Sequence, residues 1–146
     1  MDKVREVIAY QDHFENFLRK QTEIVQNKIY KVIEAIETLE RVPKTYLKPI
    51  KTKKGLFEAR IQLGSNIWRV FCFFDDGQLV ILLNGFQKKS QKTPAKEIEK
   101  ASRLMDQYFA EKNQKLIKKR SHEYKKLERH KRRCVWKERH ITKRRT

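Results

Sequence analysis

Arg60, Arg69 and Lys88 fall in three consecutive apolar segments, and Phe71, Phe73, Asn84 and Phe86 share those segments with them. Such a set suits a phosphodiester. Arginine presents a fixed fork of donors that matches phosphate oxygens, and lysine adds a point charge. Phenylalanine rings stack on unpaired bases. Cations gathered around a phosphate stabilise the charge that develops when it is attacked. A lysine crowded by other cations has a lowered pKa and can serve as a base. The same residues on a solvated strand face, with the arginines paired to Glu58, would do no chemistry, and composition leaves both readings open.

The elements that must position these residues follow from hydrophobic period and turn chemistry. Phe57, Ala59, Ile61 and Leu63 alternate with Glu58, Arg60 and Gln62, the pattern of a half-buried strand. Gly64-Ser65-Asn66 reads as a turn, Ile67–Phe74 as a second strand, Asp76-Gly77 as a hairpin loop and Leu79–Phe86 as a third strand. With Ser65-Asn66 and Asp76-Gly77 as loop centres, Ile61 faces Val70, Ala59 faces Cys72, Val70 faces Leu83 and Cys72 faces Ile81. Every pair is apolar, so helices are expected on that face. The other face carries Arg60, Gln62, Arg69, Phe71, Phe73, Asn84, Phe86 and Lys88 and is expected to be open. A one-residue slip would bury the arginines among aliphatic side chains.

Around this meander the sequence predicts a strand in Val4–Tyr10 and a helix from about His13 capped by Asp12. Val25, Ile29, Val32, Ile33, Ile36 and Leu39 keep helical spacing up to Pro43. Thr22 offers a second cap, so one long helix and two abutting ones both fit. Residues 44–55 read as a loop with five lysines, Lys44, Lys48, Lys51, Lys53 and Lys54, and no acid. Thr93 is placed as an N-cap and Pro94 as a first helical residue before the stripe Ile98, Ala101, Leu104, Met105 and Tyr108. The fold class is α+β, an antiparallel sheet with the N-terminal helices on one face, a C-terminal helix and a tail.

The charge separates that tail from the rest. The chain of 146 residues holds 36 Lys and Arg against 18 Asp and Glu, a net +18 that points to a polyanionic partner. Residues 1–110, read as one domain, carry net +6, and the extension 111–146, read as basic and partly helical, carries +12. The extension interleaves its bases with Tyr124 and Trp136, which suits RNA contact through counterion release; a solvated charged helix is the alternative. A hydrophobic content of 38% supports a modest core and argues against wholesale disorder.

Other classes lack their residues. The apolar runs Val70–Phe74 and Leu79–Leu83 fall far short of the ~20 residues a membrane helix needs. The opening MDKVREV does not read as a secretory signal, and Cys72 and Cys134 make no disulfide framework, so a cytoplasmic setting is expected. There is no GxxxxGK[ST], GxSxG or HExxH. His130, Cys134 and His140 carry metal-ligating groups at no standard spacing, so neither metal nor cofactor is expected. His13 reads as a solvated or capping residue.

Three stretches resemble a known family. They are Gly55-Leu56-Phe57-Glu58-Ala59-Arg60, Trp68-Arg69-Val70-Phe71 and Leu82-Leu83-Asn84-Gly85-Phe86-Gln87-Lys88-Lys89-Ser90-Gln91-Lys92-Thr93-Pro94. Together they resemble the HigB-like, phage-derived branch of the RelE/ParE toxin superfamily over about residues 4–110, the GF-x-KK-x-x-KTP stretch being the most specific. The resemblance implies the small RelE fold and a type II toxin that cleaves mRNA on the ribosome. In that chemistry the 2′-hydroxyl attacks the adjacent phosphate without metal. On this chain the resemblance implies that Arg60 and Arg69 hold the scissile phosphate and that Lys88, Lys89 and Lys92 supply charge and proton transfer. It further implies that Lys51, Lys53 and Lys54 grip RNA, and that Phe71, Asn84 and Phe86 contact it. The implied partners are a helix-turn-helix, HigA-like antitoxin, the ribosome and mRNA, with no membrane. Asn84 stands where the family pattern leads one to expect histidine, and Cys72 where it often has tyrosine; asparagine can hold a hydrogen bond but cannot shuttle a proton. A ParE-like gyrase inhibitor and a non-catalytic RNA-binding module are the rival readings.

Overall fold

Alternation and two tight turns build the sheet. The computed structural model describes the backbone of residues 2–144 and the side chains of residues 2–133. In chain order the elements are β1 (Glu6–Ala9), α1 (His13–Arg19), α2 (Glu23–Thr38), β2 (Leu47–Pro49), β3 (Leu56–Leu63), β4 (Asn66–Asp75), β5 (Leu79–Lys88) and α3 (Ala95–Arg144). The five strands form one sheet in the order β1-β5-β4-β3-β2, with β1 parallel to β5 and every other pair antiparallel. The expected α+β class is what is found. The chain divides into two compact units, Met1–Tyr108 and Phe109–Thr146, and the second is helical through Arg144.

Two abutting helices, not one, precede the sheet. The Thr22 hydroxyl accepts from the Val25 amide and starts α2 afresh. Asp12 occupies the cap of α1, with its carbonyl rather than its carboxylate accepting from Asn16. α2 stops at Thr38, five residues before Pro43, where the Arg5 guanidinium donates to the carbonyls of Ile36, Leu39 and Glu40. A cation there satisfies orphan carbonyls that sequence pattern cannot anticipate.

The region 44–55 is not a plain loop. Leu47–Pro49 pairs with β3 as the edge strand β2, with Leu47 buried and Lys48 exposed. Its proline is tolerated because an edge strand has one side without a partner.

The hairpin registers also differ from expectation. Leu63 pairs with Asn66, so Gly64 and Ser65 form the β3–β4 loop, with Gly64 in left-handed backbone at φ +62°. Ala59 therefore faces Val70 and Ile61 faces Trp68. This displacement by two keeps every side chain on its expected face. The β4–β5 loop has three residues rather than two, since Asp75 pairs with Leu79. Farther along, Val70 pairs with Gly85 but Cys72 with Leu82, so Leu83 and Asn84 both stand opposite Phe71. That β-bulge reverses the phase of β5. The third loop residue is what sets Ile81 opposite Phe73 instead of Cys72 and Leu83 beside Phe71 instead of Val70, and the bulge then restores the expected facing from Gly85 onward.

Both faces of the sheet are covered. Phe14 and Phe17 of α1 and Val25, Ile29, Val32 and Ile36 of α2 pack on Ala59, Ile61, Trp68, Val70, Cys72, Val80 and Leu82. The opposite face, expected to be open, buries Leu56, Phe71, Phe73, Ile81 and Leu83. The first turns of α3 lie over it: Ala101, Leu104 and Met105 are buried, and the Tyr108 ring meets Phe73 edge-on at 5.1 Å while its hydroxyl donates to Asp75 at 2.6 Å. The uncovered part is the end nearest the β3–β4 turn. The polar residues concentrate there.

Candidate phosphate-binding site

Strand pairing sets three rows of side chains on this face. Lys48, Glu58 and Phe71 form one, Arg60, Arg69 and Phe86 the next, and Gln62, Ile67 and Lys88 the third. The bulge is what puts Phe86 and Lys88 here, since without the phase reversal both would point to the α1–α2 side. Phe86 stacks on Phe71 with ring centroids 5.7 Å apart.

Two guanidinium groups thus stand directly opposite each other on neighbouring strands, with one carboxylate between them. Glu58 Oε1 lies 3.9 Å from Arg60 Nε and Glu58 Oε2 lies 3.8 Å from Arg69 Nε, longer than hydrogen bonds. Neither Nε has a hydrogen-bond partner, although both are buried. Arg69 is only 4% exposed and donates from Nη1 to the Trp68 carbonyl at 3.0 Å. Burial, and then the charge of Arg60, lower its affinity for a proton, while Glu58 works the other way. Thr93, expected to cap α3, instead donates its hydroxyl to Glu58 Oε2 at 3.5 Å, and the Pro94 carbonyl accepts the first amides of that helix.

Lys88 completes the group. Desolvation lowers its pKa first, then the charge of Arg69, with Glu58 opposing and Arg60 and Lys48 adding. The site therefore gathers four cations, Lys48, Arg60, Arg69 and Lys88, around a single acid. A cavity of about 430 Å³ lies beside the two arginines, lined by Lys28 and Val32 of α2 together with Thr45, Tyr46, Arg60, Gln62 and Arg69. The donors left for an entering oxyanion are on the Nη groups, since both Nε atoms are buried and each Nη1 already donates, that of Arg60 to the Lys44 carbonyl at 3.5 Å and that of Arg69 to the Trp68 carbonyl.

Not every candidate residue converges here. Phe71 is fully buried beneath α3 and cannot stack on a base, so its assignment to RNA contact is corrected. Phe73 is buried in the same layer. Asn84 is 3% exposed and is held inward, its amide donating to the Glu97 carbonyl and to Glu97 Oε2 at 3.1 Å. Lys53 is pinned to Asp106 at 3.2 Å. Lys51 and Lys54 are exposed on the turn before β3, and Lys89 and Lys92 on the segment after β5, outside the arginine rows. Lys48 joins the site through β2, within the stretch expected to be a loop; the alternation of Leu47, Lys48 and Pro49 is the only signal of it in the sequence.

Among the described residues no group of three His, Cys, Asp or Glu side chains is placed to hold a metal, and no helix is long and apolar enough to cross a membrane. The combination of His130, Cys134 and His140 lies partly outside the described side chains.

A five-stranded α+β domain with a cluster of cations at one end of its sheet defines a small protein suited to gripping an oxyanion. The chain belongs to the Phage derived protein Gp49-like (DUF891) family, whose profile matches residues 16–106. That span contains β2 to β5 and every residue of the three rows. No curated protein sequence matches it. Among solved structures it is similar to a chain of the archaeal RelE-RelB complex from Pyrococcus horikoshii OT3, at 14% identity and a TM-score of 0.46, over 61% of this chain and 99% of that one.

Proposed function

We propose that this protein is the toxin of a type II toxin–antitoxin pair, a RelE-like and specifically HigB-like endoribonuclease that cuts mRNA in the ribosomal A site. The observation that carries the reading is the directly opposed pair Arg60 and Arg69, which share one carboxylate and stand beside a lysine of depressed pKa. Like charges facing each other across strands destabilise the sheet unless an anion neutralises them. A phosphodiester does so.

In the proposed reaction the ribose 2′-oxygen attacks the adjacent phosphorus and the bond from phosphorus to the 5′-oxygen breaks, leaving a cyclic phosphate and a 5′-hydroxyl. Arg60 and Arg69 neutralise the charge that grows on the non-bridging oxygens. Lys88, whose neutral amine is accessible at lower pH than in an ordinary lysine, takes the proton of the 2′-hydroxyl. The departing 5′-oxygen takes a proton from water, and Lys89 adds positive charge for holding the RNA. Asn84 takes no part in proton transfer, because its amide is committed to Glu97. The proposed partners are a helix-turn-helix antitoxin of the HigA kind, the ribosome and mRNA, in the cytoplasm.

Toeprinting of a translated mRNA tests this. The wild-type chain is expected to produce A-site cuts, and Arg69→Ala to lower them at least ~100-fold, since one lost oxyanion donor costs about that much. No cleavage, together with inhibition of DNA supercoiling by gyrase, would establish the ParE-like alternative. RNA binding without cleavage would establish a non-catalytic module.

A further inference from the structure

The second compact unit, Phe109–Thr146, carries a surface that phosphate chemistry does not explain. Leu116, Ile117, Tyr124 and Leu127 are large apolar side chains, yet they are between 44% and 66% exposed. They are not scattered. α3 is helical throughout this stretch, and at about 3.6 residues per turn the four fall within an arc of about 100°. Between Leu116 and Leu127 the one charged side chain within that arc is Arg120. Ile117, Arg120, Tyr124 and Leu127 follow one another at spacings of three, four and three, the seam of a two-helix contact. The helix around this stripe is strongly cationic. Residues 111–133 hold eleven Lys and Arg against three Glu, a net +8.

We propose that the stripe is a docking face for a partner protein that offers an acidic amphipathic helix. The inference goes beyond the ribonuclease reading and stands without it. An exposed apolar strip rimmed by polar residues marks an interaction site, and anchors spaced by three and four fit a helix laid alongside. Charge then identifies the occupant. A second copy would set +8 against +8, and in a parallel pairing Arg120 against Arg120, so self-association works against the field of both helices. Carboxylates flanking a partner's apolar seam are drawn in by the same field. One placed opposite Arg120 fixes the register, as a single polar seam position does in paired helices. RNA, by contrast, leaves the stripe uncovered. Its phosphates are neutralised by Lys and Arg, and its bases stack on Tyr124 but not on Leu116, Ile117 or Leu127.

Peptide titration of the full chain, followed by fluorescence anisotropy, tests this. The probe is a synthetic three-heptad peptide with Leu along its seam and Glu beside it. The comparators are a scrambled peptide of the same composition and a short single-stranded RNA. The amphipathic peptide is expected to bind at least ~10-fold tighter than the scrambled one, the difference that a few buried anchors make. Leu116→Gln, Ile117→Gln and Leu127→Gln together are expected to bring the two peptides to one affinity and to leave RNA binding unchanged. Glutamine is a good helix former and the three sites are exposed, so circular dichroism should show the same helicity. Equal affinity of the wild type for both peptides would reduce the contact to charge and overturn the docking face. Loss of RNA binding in the triple variant would assign the stripe to RNA instead. A wild-type dimer in sedimentation that the triple variant converts to monomer would assign it to a second copy.

Discussion

Arg69 is the residue whose environment says most about the site. A guanidinium that is 4% exposed, beside a second guanidinium, is held by a carboxylate at 3.8 Å and a backbone carbonyl at 3.0 Å. Removing Glu58 leaves two opposed cations without compensation, and breaking a buried pair in this way costs about 3 kcal/mol. Glu58→Ala is therefore expected to lower the urea midpoint markedly, whereas the surface change Lys92→Ala leaves it unmoved; equal midpoints for the two variants would deny Glu58 its structural role. Lys88 gives a prediction about rate. As an ammonium it cannot accept the 2′-hydroxyl proton, so cleavage is expected to rise with pH as the amine is released. Burial and Arg69 depress its pKa, which moves the rise below the range of an ordinary lysine. Lys88→Arg keeps the charge and loses the base, so cleavage should fall and its pH dependence flatten; an unchanged profile would remove Lys88 from the proton path. Cys72 is a contrast: burial raises its pKa to about 12, which marks a structural thiol.

At the scale of elements, the meander, both N-terminal helices and the start of α3 were legible because their apolar period is regular and their turn residues are distinctive. Same-face placement of Arg60, Arg69, Phe86 and Lys88 was legible too, though for an incomplete reason. Simple hairpin counting ignored both the third loop residue after Asp75 and the bulge opposite Phe71, and the two omissions compensate at Phe86 and Lys88 but not at Ile81 and Leu83. A bulge is a tertiary choice, made where Gly85 lets α1 approach. A Cβ at Gly85 would stand 2.4 Å from the Phe17 ring, so the glycine is required by close packing rather than by a special φ. Gly85→Ala is expected to cost ~1–3 kcal/mol through overpacking, read by urea denaturation. Phe17→Leu in the same chain should recover part of that loss, since it vacates the space the new methyl needs. Failure of the second change to rescue would show that the strain lies elsewhere. β2 escaped notice because three residues with a proline carry too little pattern, and the cover over Phe71 and Phe73 because alternation identifies an apolar face but not what lies on it.

For the whole molecule, the net +18 divides unequally, and the two parts have different expected effects. Residues 1–110 carry +6, and the four cations at the proposed phosphate site belong to this part. Residues 111–146 carry +12, and the helix, which runs to Arg144, exposes Leu116, Ile117, Tyr124 and Leu127. Charge of that density raises affinity for any polyanion by releasing counterions, at a slope of about 0.7 per phosphate contact on single strands, without choosing among phosphates. Truncation after Ala110 is therefore expected to reduce the slope of log affinity against log salt by several units and to weaken RNA binding most at low salt. Cleavage at saturating ribosome concentration should change by no more than a few-fold, because Arg60, Arg69 and Lys88 remain in place. Filter binding over a salt series, run beside toeprinting on the same preparations, separates the two effects. An unchanged slope with abolished cleavage would mean that the extension acts in the reaction itself and that the charge of the domain alone is insufficient for it.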